Sequence, residues 1–576
     1  MRYLPLFLAV LAFPLLINAQ LPATVFEKTN GRQTATYQEV IRFYQELDKR
    51  SDHLKLQAMG PSDAGFPLHL ALYSKDGKFD PVTWHRQGKV VILVNNGIHP
   101  GEPDGIDASM MWLRDILSGK KTIPANIALA FIPVYNIGGA LNRSEYYRVD
   151  QDGPAAFGSR GNSQNLDLNR DFIKSDSKEA RSFAELYQYL NPDIFIDNHV
   201  SNGADYQHIM TLIASQHNKL GGKMGQFMNR QFEPGLYQLM KQRGYDLVPY
   251  VNAFGDTPES GWPEFLDGPR YSSGYATLWN SFAFVPETHM LKPYPQRVAA
   301  TYALMECFVQ FASSNAADIK SLRKEAFAAQ KTASSFPVQW KQDRSTWSDL
   351  QFKGYEAGRK PSGVSGLPRL YYDRNKPFEK TVKFYNHYST AHSVEKPVAY
   401  IIPQGWWKVI DLLKANKVQM IPLARDTSLK VEAYRIEEYK ASTRSFESHY
   451  PNGNVKISKQ MITKSFRKGD LMIPMNQAAN RFLVEVLEPE AMDSYFTWNF
   501  FDGILGQKEG FSSYVFEDTA EKYLAENPEL KKRLAEKAAT DSVFAKSAGQ
   551  QLDFVFKNSP WYEPDHNRYP VFRVLK

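Results

Sequence analysis

The sequence has a single cysteine, Cys307, in 576 residues. That excludes an internal disulfide and leaves burial of apolar surface to hold the chain together. Cys307 sits in YALMECFVQF, an apolar helical pattern, and reads as core. Membrane-length apolar runs are absent. The run from Leu4 to Ile17 follows Arg2, is too short to span a bilayer, and ends at Ile17, Asn18 and Ala19. It has the form of a secretory signal cleaved after Ala19, and with no cysteine after it lipid attachment there is not expected. A secreted or periplasmic protein with no remaining membrane span is expected. A one-signed charge is lacking too: 69 Lys and Arg stand against 62 Asp and Glu, and the two kinds are interleaved. The net +7 is therefore read as a solvated surface, and nucleic acid is not expected as a partner. Internal repeats and low-complexity tracts are also missing, and the length implies at least two domains.

What is present is organised around VVILVNNGIHPGEPD, residues 90–104. Val90 to Val94 form the continuous apolar run of a strand covered on both faces. The chain turns through Asn95, Asn96 and Gly97, and Pro100 and Gly101 keep His99 out of the following helix. Glu102 falls at the strand-to-helix corner, where open α/β sheets place ligands. An imidazole and a hard carboxylate three residues apart are two of the three protein ligands of a catalytic zinc, although H-x-x-E alone is more often an ordinary surface pair.

From Thr36 to about Ser314 strand and helix patterns alternate. Ile106, Met110, Leu113 and Leu117 mark a helix face, and Ile127–Val134 reads as a second buried strand. Ser175 or Asp176 is expected to cap a helix ending at Asn191, followed by a strand from Asp193 to Asp197. These units predict a doubly wound, mostly parallel or mixed sheet flanked by helices. The strand in PDIFIDNHVSN delivers His199 at its end, the same topological position as His99. Together His99, Glu102 and His199 form a candidate set for one zinc ion with a position left for water.

Between these ligands lies FGSRGNSQNLDLNRDF, residues 157–172. Four blocks now stand in order: His99-x-x-Glu102, the pair Asn169 and Arg170, His199 at a strand end, and Glu287 on the late strand Phe282–Glu287. With them the chain resembles the zinc metallocarboxypeptidases of the carboxypeptidase A type, over roughly residues 30 to 315. The resemblance implies one Zn2+ per chain and a peptide substrate with a free C-terminal carboxylate, held by Asn169 and Arg170. A guanidinium fork suits a carboxylate, and an amide can donate a further bond. Asp167 is implied to orient a zinc-bound histidine. Glu287 is implied to be the general base and acid, taking a proton from the attacking water and giving it to the leaving amine.

The resemblance also implies an arginine that polarises the scissile carbonyl. Arg160 is the best match, with Arg148 and Arg143 as alternatives, because the loop Asn136-Ile137-Gly138-Gly139 departs from the family's Asn-Pro-Asp-Gly. A mobile tyrosine closing on the substrate is implied at Tyr271, with Tyr275 second, and Arg270 is a further candidate for anionic substrates. His289 is expected to be structural or to support the ligands. The pocket for the terminal side chain is expected between Asp256 and Gly274. Asp256 or Asp267 there would favour basic residues, and Arg270 acidic ones.

Beyond about Asn315 the character changes. Asp318–Thr332 reads as a connecting helix, Phe336–Thr390 as antiparallel β structure, Val398–Leu423 as strand, helix, strand, and Phe516–Phe554 as charged helices. This half carries no nucleophile motif, metal spacing or phosphate loop. Its aromatic stretch SYFTWNFFDG, residues 494–503, is expected to pack the second half against the first, with a sugar or peptide platform as the alternative. The expected organisation is a signal peptide (1–19), a zinc carboxypeptidase-like catalytic domain (20–315) and an α+β accessory region (316–576). The expected activity is hydrolysis of the C-terminal peptide bond. An amidase or peptidase acting on peptidoglycan stem peptides, and a peptide- or glycan-binding protein without turnover, are the alternatives.

Overall fold

The computed structural model describes residues 21–255 and 257–576. The signal-peptide expectation and Asp256 lie outside the described residues. Nine strands form the central sheet: β1 (Leu54–Pro61), β2 (Pro67–Tyr73), β3 (Val90–Asn95), β4 (Ile127–Ile132), β5 (Ile194–Asp197), β6 (His199–Ser201), β7 (Met210–Ala214), β8 (Val248–Pro249) and β9 (Phe282–His289). Their order is β1-β2-β4-β3-β5-β9-β7-β8, with β6 beside β9. The centre is parallel: β3 pairs with β4 and β5, and β9 with β5 and β6. The flanks are antiparallel, at β1–β2, β2–β4 and β7–β9. At the far edge β8 pairs parallel with β7, so the sheet is mixed, with its central parallel strands leading to the candidate ligands.

Every residue of β3 and β4 is buried, as continuous Val, Ile, Leu and Ala runs require when helices cover both faces. On one face Val90, Ile92 and Val94 join a core built with α1 (Tyr37–Lys49), α2 (Asp104–Leu117) and α5 (Tyr294–Ser314). Helix α1 starts on a capping box, Thr36 with Glu39, which satisfies two orphan backbone donors. On the other face Val91 and Leu93 pack with α3 (Lys178–Leu190) and α4 (Ser272–Leu278). The cap of α3 is Ser177, accepting from the amide of Ala180, in place of the expected Ser175 or Asp176. Ser175 instead has φ 47°, a left-handed conformation outside the helix.

Two glycines let α2 start close to the strand ends. Gly97 turns left-handed at φ 64°. A Cβ on Gly105 would stand 2.5 Å from Asn198 Cβ, so any side chain there would push the helix off the sheet. The carboxylate of Asp104 at the start of α2 is buried and ion-paired with Arg297 at 3.0 Å.

After α5 come helix Ala316–Thr332 and a series of further sheets. Two long strands, Ser348–Pro361 and Pro368–Tyr385, form a hairpin whose base pairs with Trp262–Pro263. A six-stranded sheet follows, with the helix Trp407–Ala415 between two of its strands. Helices fill most of 513–557. Tyr400, Val409, Leu483 and Trp498 from this half belong to the same hydrophobic core as Val91 and Leu93. The rings of Trp279 and Phe482 stack at 5.2 Å. In the 494–503 stretch Tyr495, Phe496, Trp498 and Phe501 are fully buried, which is packing and not a surface platform.

Phe482→Ala is expected to remove about 3 to 5 kcal/mol of stability, read in urea denaturation. The exposed control Val543→Ala is expected to change it by less than about 0.5 kcal/mol.

Candidate metal centre and substrate cleft

Three neighbouring strand ends build the site. The turn after β3 carries His99 and Glu102, β6 begins with His199, and β9 carries Glu287 directly across from His199 in the parallel ladder. This is where strand order reverses about β3, the position at which doubly wound sheets leave a crevice.

Glu102 is at the centre of the group and is buried. Its Oε1 lies 3.2 Å from His99 Nδ1 and accepts from Arg148 Nη1 at 2.7 Å. Its Oε2 lies 3.1 Å from His199 Nδ1 and accepts from the Val200 amide at 2.9 Å. Burial pushes this carboxyl upward, but His99, Arg148 and His199 outweigh it and hold it well below the usual range. Each imidazole is gripped from behind by a carboxylate: His99 Nε2 stands 2.9 Å from Asp167 Oδ1, and His199 Nε2 3.0 Å from Asp197 Oδ2. Both Nδ1 atoms therefore face Glu102.

Ligand atoms of His99, Glu102 and His199 lie within 4.8 Å of one another, the one such group of three among the described residues. His99 Nδ1 is buried without a hydrogen-bond partner, a condition rarely tolerated unless something else fills it. Two imidazole nitrogens and a carboxylate oxygen, with the far nitrogens fixed by carboxylates, fit the donor set and outer shell that a zinc ion takes.

A cavity of about 390 Å3 opens over this group, lined also by Arg148, Arg160, Asn169, Arg170, Tyr271 and Glu287. Glu287 keeps one face open to it. Burial, and secondarily the Glu102 carboxylate, pushes its carboxyl up to about 8 against the pull of His199. Asp167 caps the short turn Leu168–Arg170 that presents the Asn-Arg pair. Its Oδ1 takes the amide of Asn169 as well as His99, and its Oδ2 takes Arg160 Nε at 2.9 Å. Burial alone would raise it, yet His99, Arg160 and Arg170 hold it far below the usual carboxylate range. Asn169 Oδ1 accepts from the Ser272 amide at 3.3 Å, leaving its nitrogen as the donor. Arg170 stacks 4.6 Å from the centre of the Tyr271 ring.

The other candidate residues have partners of their own, and Arg148 lines the cavity as Arg160 does. Arg143 spends its guanidinium on the carbonyls of Thr34, Ala35 and Ala156 and does not line the cavity. Arg148 has all three nitrogens engaged, by Gln151, Glu102 and Val200 O. Arg160 leaves Nη1, 3.6 Å from Glu102, without a hydrogen bond among the described residues. Tyr275 is fully buried and donates to Asn416 Oδ1 at 2.6 Å, so it is a core residue. Arg270 is paired with Asp493 at 2.7 Å and lies over Trp498. Asp267 pairs with Lys219 at 2.9 Å and is buried. His289 is structural: its Nε2 meets Ala204 O at 2.9 Å.

Sequence reasoning missed Asp197 as the partner of His199. Strand alternation puts residues two apart on the same face, so D-x-H at a strand end was the available signal. It also missed Gln151, whose contact with Arg148 spans a loop.

No protein-family model matches the chain, and no curated protein does. Among solved structures, similarity is found to a metallo-carboxypeptidase from Burkholderia cenocepacia, at 12% identity over 49% of this chain and 70% of that one, with a TM-score of 0.36. A metallo-carboxypeptidase from Pseudomonas aeruginosa, in complex with (2-guanidinoethylmercapto)succinic acid, aligns at 14% identity over 50% and 70%, with a TM-score of 0.37. The carboxypeptidase A of Helicoverpa armigera aligns at 15% identity over 49% and 74%, with a TM-score of 0.35. No helix among the described residues is long and apolar enough to cross a membrane.

Asp197→Asn, which keeps the shape but loses the charge behind His199, is expected to weaken zinc binding about 10- to 100-fold, measured by competition with a chromophoric chelator.

Proposed function

We propose that the protein is an exported zinc metallocarboxypeptidase that releases the C-terminal residue of peptides. The observation that carries this reading is the convergence, in one cavity, of the His99, Glu102 and His199 group with Glu287 and with Asn169, Arg170 and Tyr271. A metal group alone would fit many hydrolases. A cationic, amide-bearing corner beside it selects a substrate that ends in a carboxylate.

His99, Glu102 and His199 would hold the zinc, which when bound supplies Lewis acidity toward water and carbonyl oxygen. Asn169 and Arg170 bind the terminal carboxylate, and Tyr271, stacked on Arg170, covers it. Arg160 donates through Nη1 to the carbonyl oxygen as negative charge develops there. Glu287 takes the proton of the attacking water and returns it to the leaving nitrogen. Asp167 and Asp197 fix the two imidazoles in one tautomer and orientation.

The remaining lining is mostly apolar, Val200, Ile213, Val285, Tyr250, Phe254 and Phe265, with Asn202 and small serines. With Asp267 and Arg270 both committed elsewhere, the described residues offer the terminal side chain a largely apolar wall. We therefore assign a preference for apolar or aromatic C-terminal residues.

A library of peptides with free or amidated C-termini, followed by mass spectrometry, tests both parts. Single-residue loss is expected from free acids ending in Phe or Leu, with Lys- or Glu-terminated peptides slower by at least about tenfold, the effect of burying an unpaired charge. Equal cleavage of amidated peptides would sink the carboxylate clamp, and cleavage only of cell-wall stem peptides would move the substrate to the envelope. Glu287→Gln is expected to lower kcat by about 100-fold or more while zinc content stays near one per chain.

A further inference from the structure

One hairpin of the accessory half reaches the turn that carries Asp167. Its strands, Thr427–Ala441 and Asn452–Phe466, lead to a tip where Phe446 and His449 exchange both backbone hydrogen bonds, at 2.8 and 3.1 Å. Glu447 and Ser448 are thus the two central residues of a tight turn, with φ 50° and 65°. Two consecutive left-handed residues favour Asn-Gly, and neither Glu nor Ser adopts this conformation without strain. The tip is held in place: Phe446 stacks on Trp498 at 6.2 Å, and His449 Nε2 meets Asp176 Oδ2 at 2.8 Å.

The strained turn delivers one contact. Glu447 Oε2 accepts from the backbone amide of Asp167 at 2.8 Å, across 280 residues of sequence. That amide precedes the turn Leu168–Arg170 and belongs to no helix or strand. Asp167 in turn holds His99, Arg160 and the Asn169 amide. A carboxylate accepting from a backbone amide is a charge-assisted bond, and strain that persists at one turn points to a role for what the turn presents.

We propose that Glu447 is a positioning residue: it fixes the Asp167–Arg170 segment, so that the accessory half is part of the active site and not an appendage to it. Its consequences for catalysis rest on the carboxypeptidase reading above, but the contact itself does not.

Three full-length variants test it: Glu447→Ala, Glu447→Gln, and the double change Glu447→Asn with Ser448→Gly. The double change gives the turn its preferred residues with a side chain one methylene shorter. Hydrogen exchange of the Asp167 amide, read by mass spectrometry on short peptic fragments, is expected to quicken at least tenfold in the alanine and double variants. It should return toward wild type in the glutamine variant, which keeps an acceptor oxygen. Zinc affinity and kcat/KM are expected to fall about tenfold in the same two variants, the lower end of the effect of losing support behind a ligand. The melting temperature of the double variant should be unchanged or higher. Wild-type exchange at Asp167 in the alanine variant would overturn the proposal. So would a double variant whose melting temperature falls together with its activity, since that marks a hairpin needed only for folding. If the wild type cleaves no peptide and binds no zinc, the proposed function fails while the exchange measurement still decides the contact.

Discussion

Glu102 is a buried carboxylate shared between two imidazoles and a guanidinium, and the centre of the molecule is arranged to keep it there. Burying an ionised group without partners is prohibitive, and removing one partner from a buried cluster leaves an uncompensated charge. Arg148 and the Val200 amide complete its coordination by protein, and Asp167 and Asp197 turn both Nδ1 atoms toward it. The parallel strands β3, β5 and β9 exist as neighbours because each is an apolar run buried on both faces. Their adjacency is what brings His99, His199 and Glu287 to one corner.

The same sheet explains why the second half of the chain cannot be regarded as an independent attachment. One face of β3 is covered by helices of the first half, whereas the other shares its core with Tyr400, Phe482 and Trp498. Polar contacts extend this union to the rim of the cleft. Asp493, fully buried, takes both the amide and the guanidinium of Arg270. Arg270 precedes Tyr271, and its carbonyl accepts from the amide of Phe172, two residues past Arg170. The two loops facing the candidate substrate carboxylate are therefore each backed by a carboxylate from the accessory half, one by Glu447 and the other by Asp493. Glu485, close to Asp493 and pushed up to about 7 by burial and by that neighbour, shows how densely charge is packed behind them.

Much of this was legible from local pattern. The runs at 90–94 and 193–197 announced buried strands, and each ended in a residue type with metal-binding chemistry, so His99, Glu102 and His199 could be chosen before any fold was known. The wall of the cleft was not legible in the same way. Arg143, Arg148 and Arg160 have equal chemistry in sequence, and only their partners separate them. Tyr275 and Tyr271 differ by one helical turn, enough to put one in the core against Asn416 and the other over Arg170. Arg270 looked free because its partner, Asp493, lies 223 residues away.

The sequence by itself determined the kind of sheet, the strand ends that carry ligands, the absence of cross-links and the charge balance. These follow from apolar periodicity, turn residues and composition, all of which act over a few neighbouring positions. Only the tertiary structure decided which arginine keeps a free donor, which tyrosine faces the cavity, what lines that cavity and that a strained turn near residue 447 touches Asp167. Those outcomes depend on which distant groups meet, and a side chain's role is set by the partner that claims its hydrogen bonds.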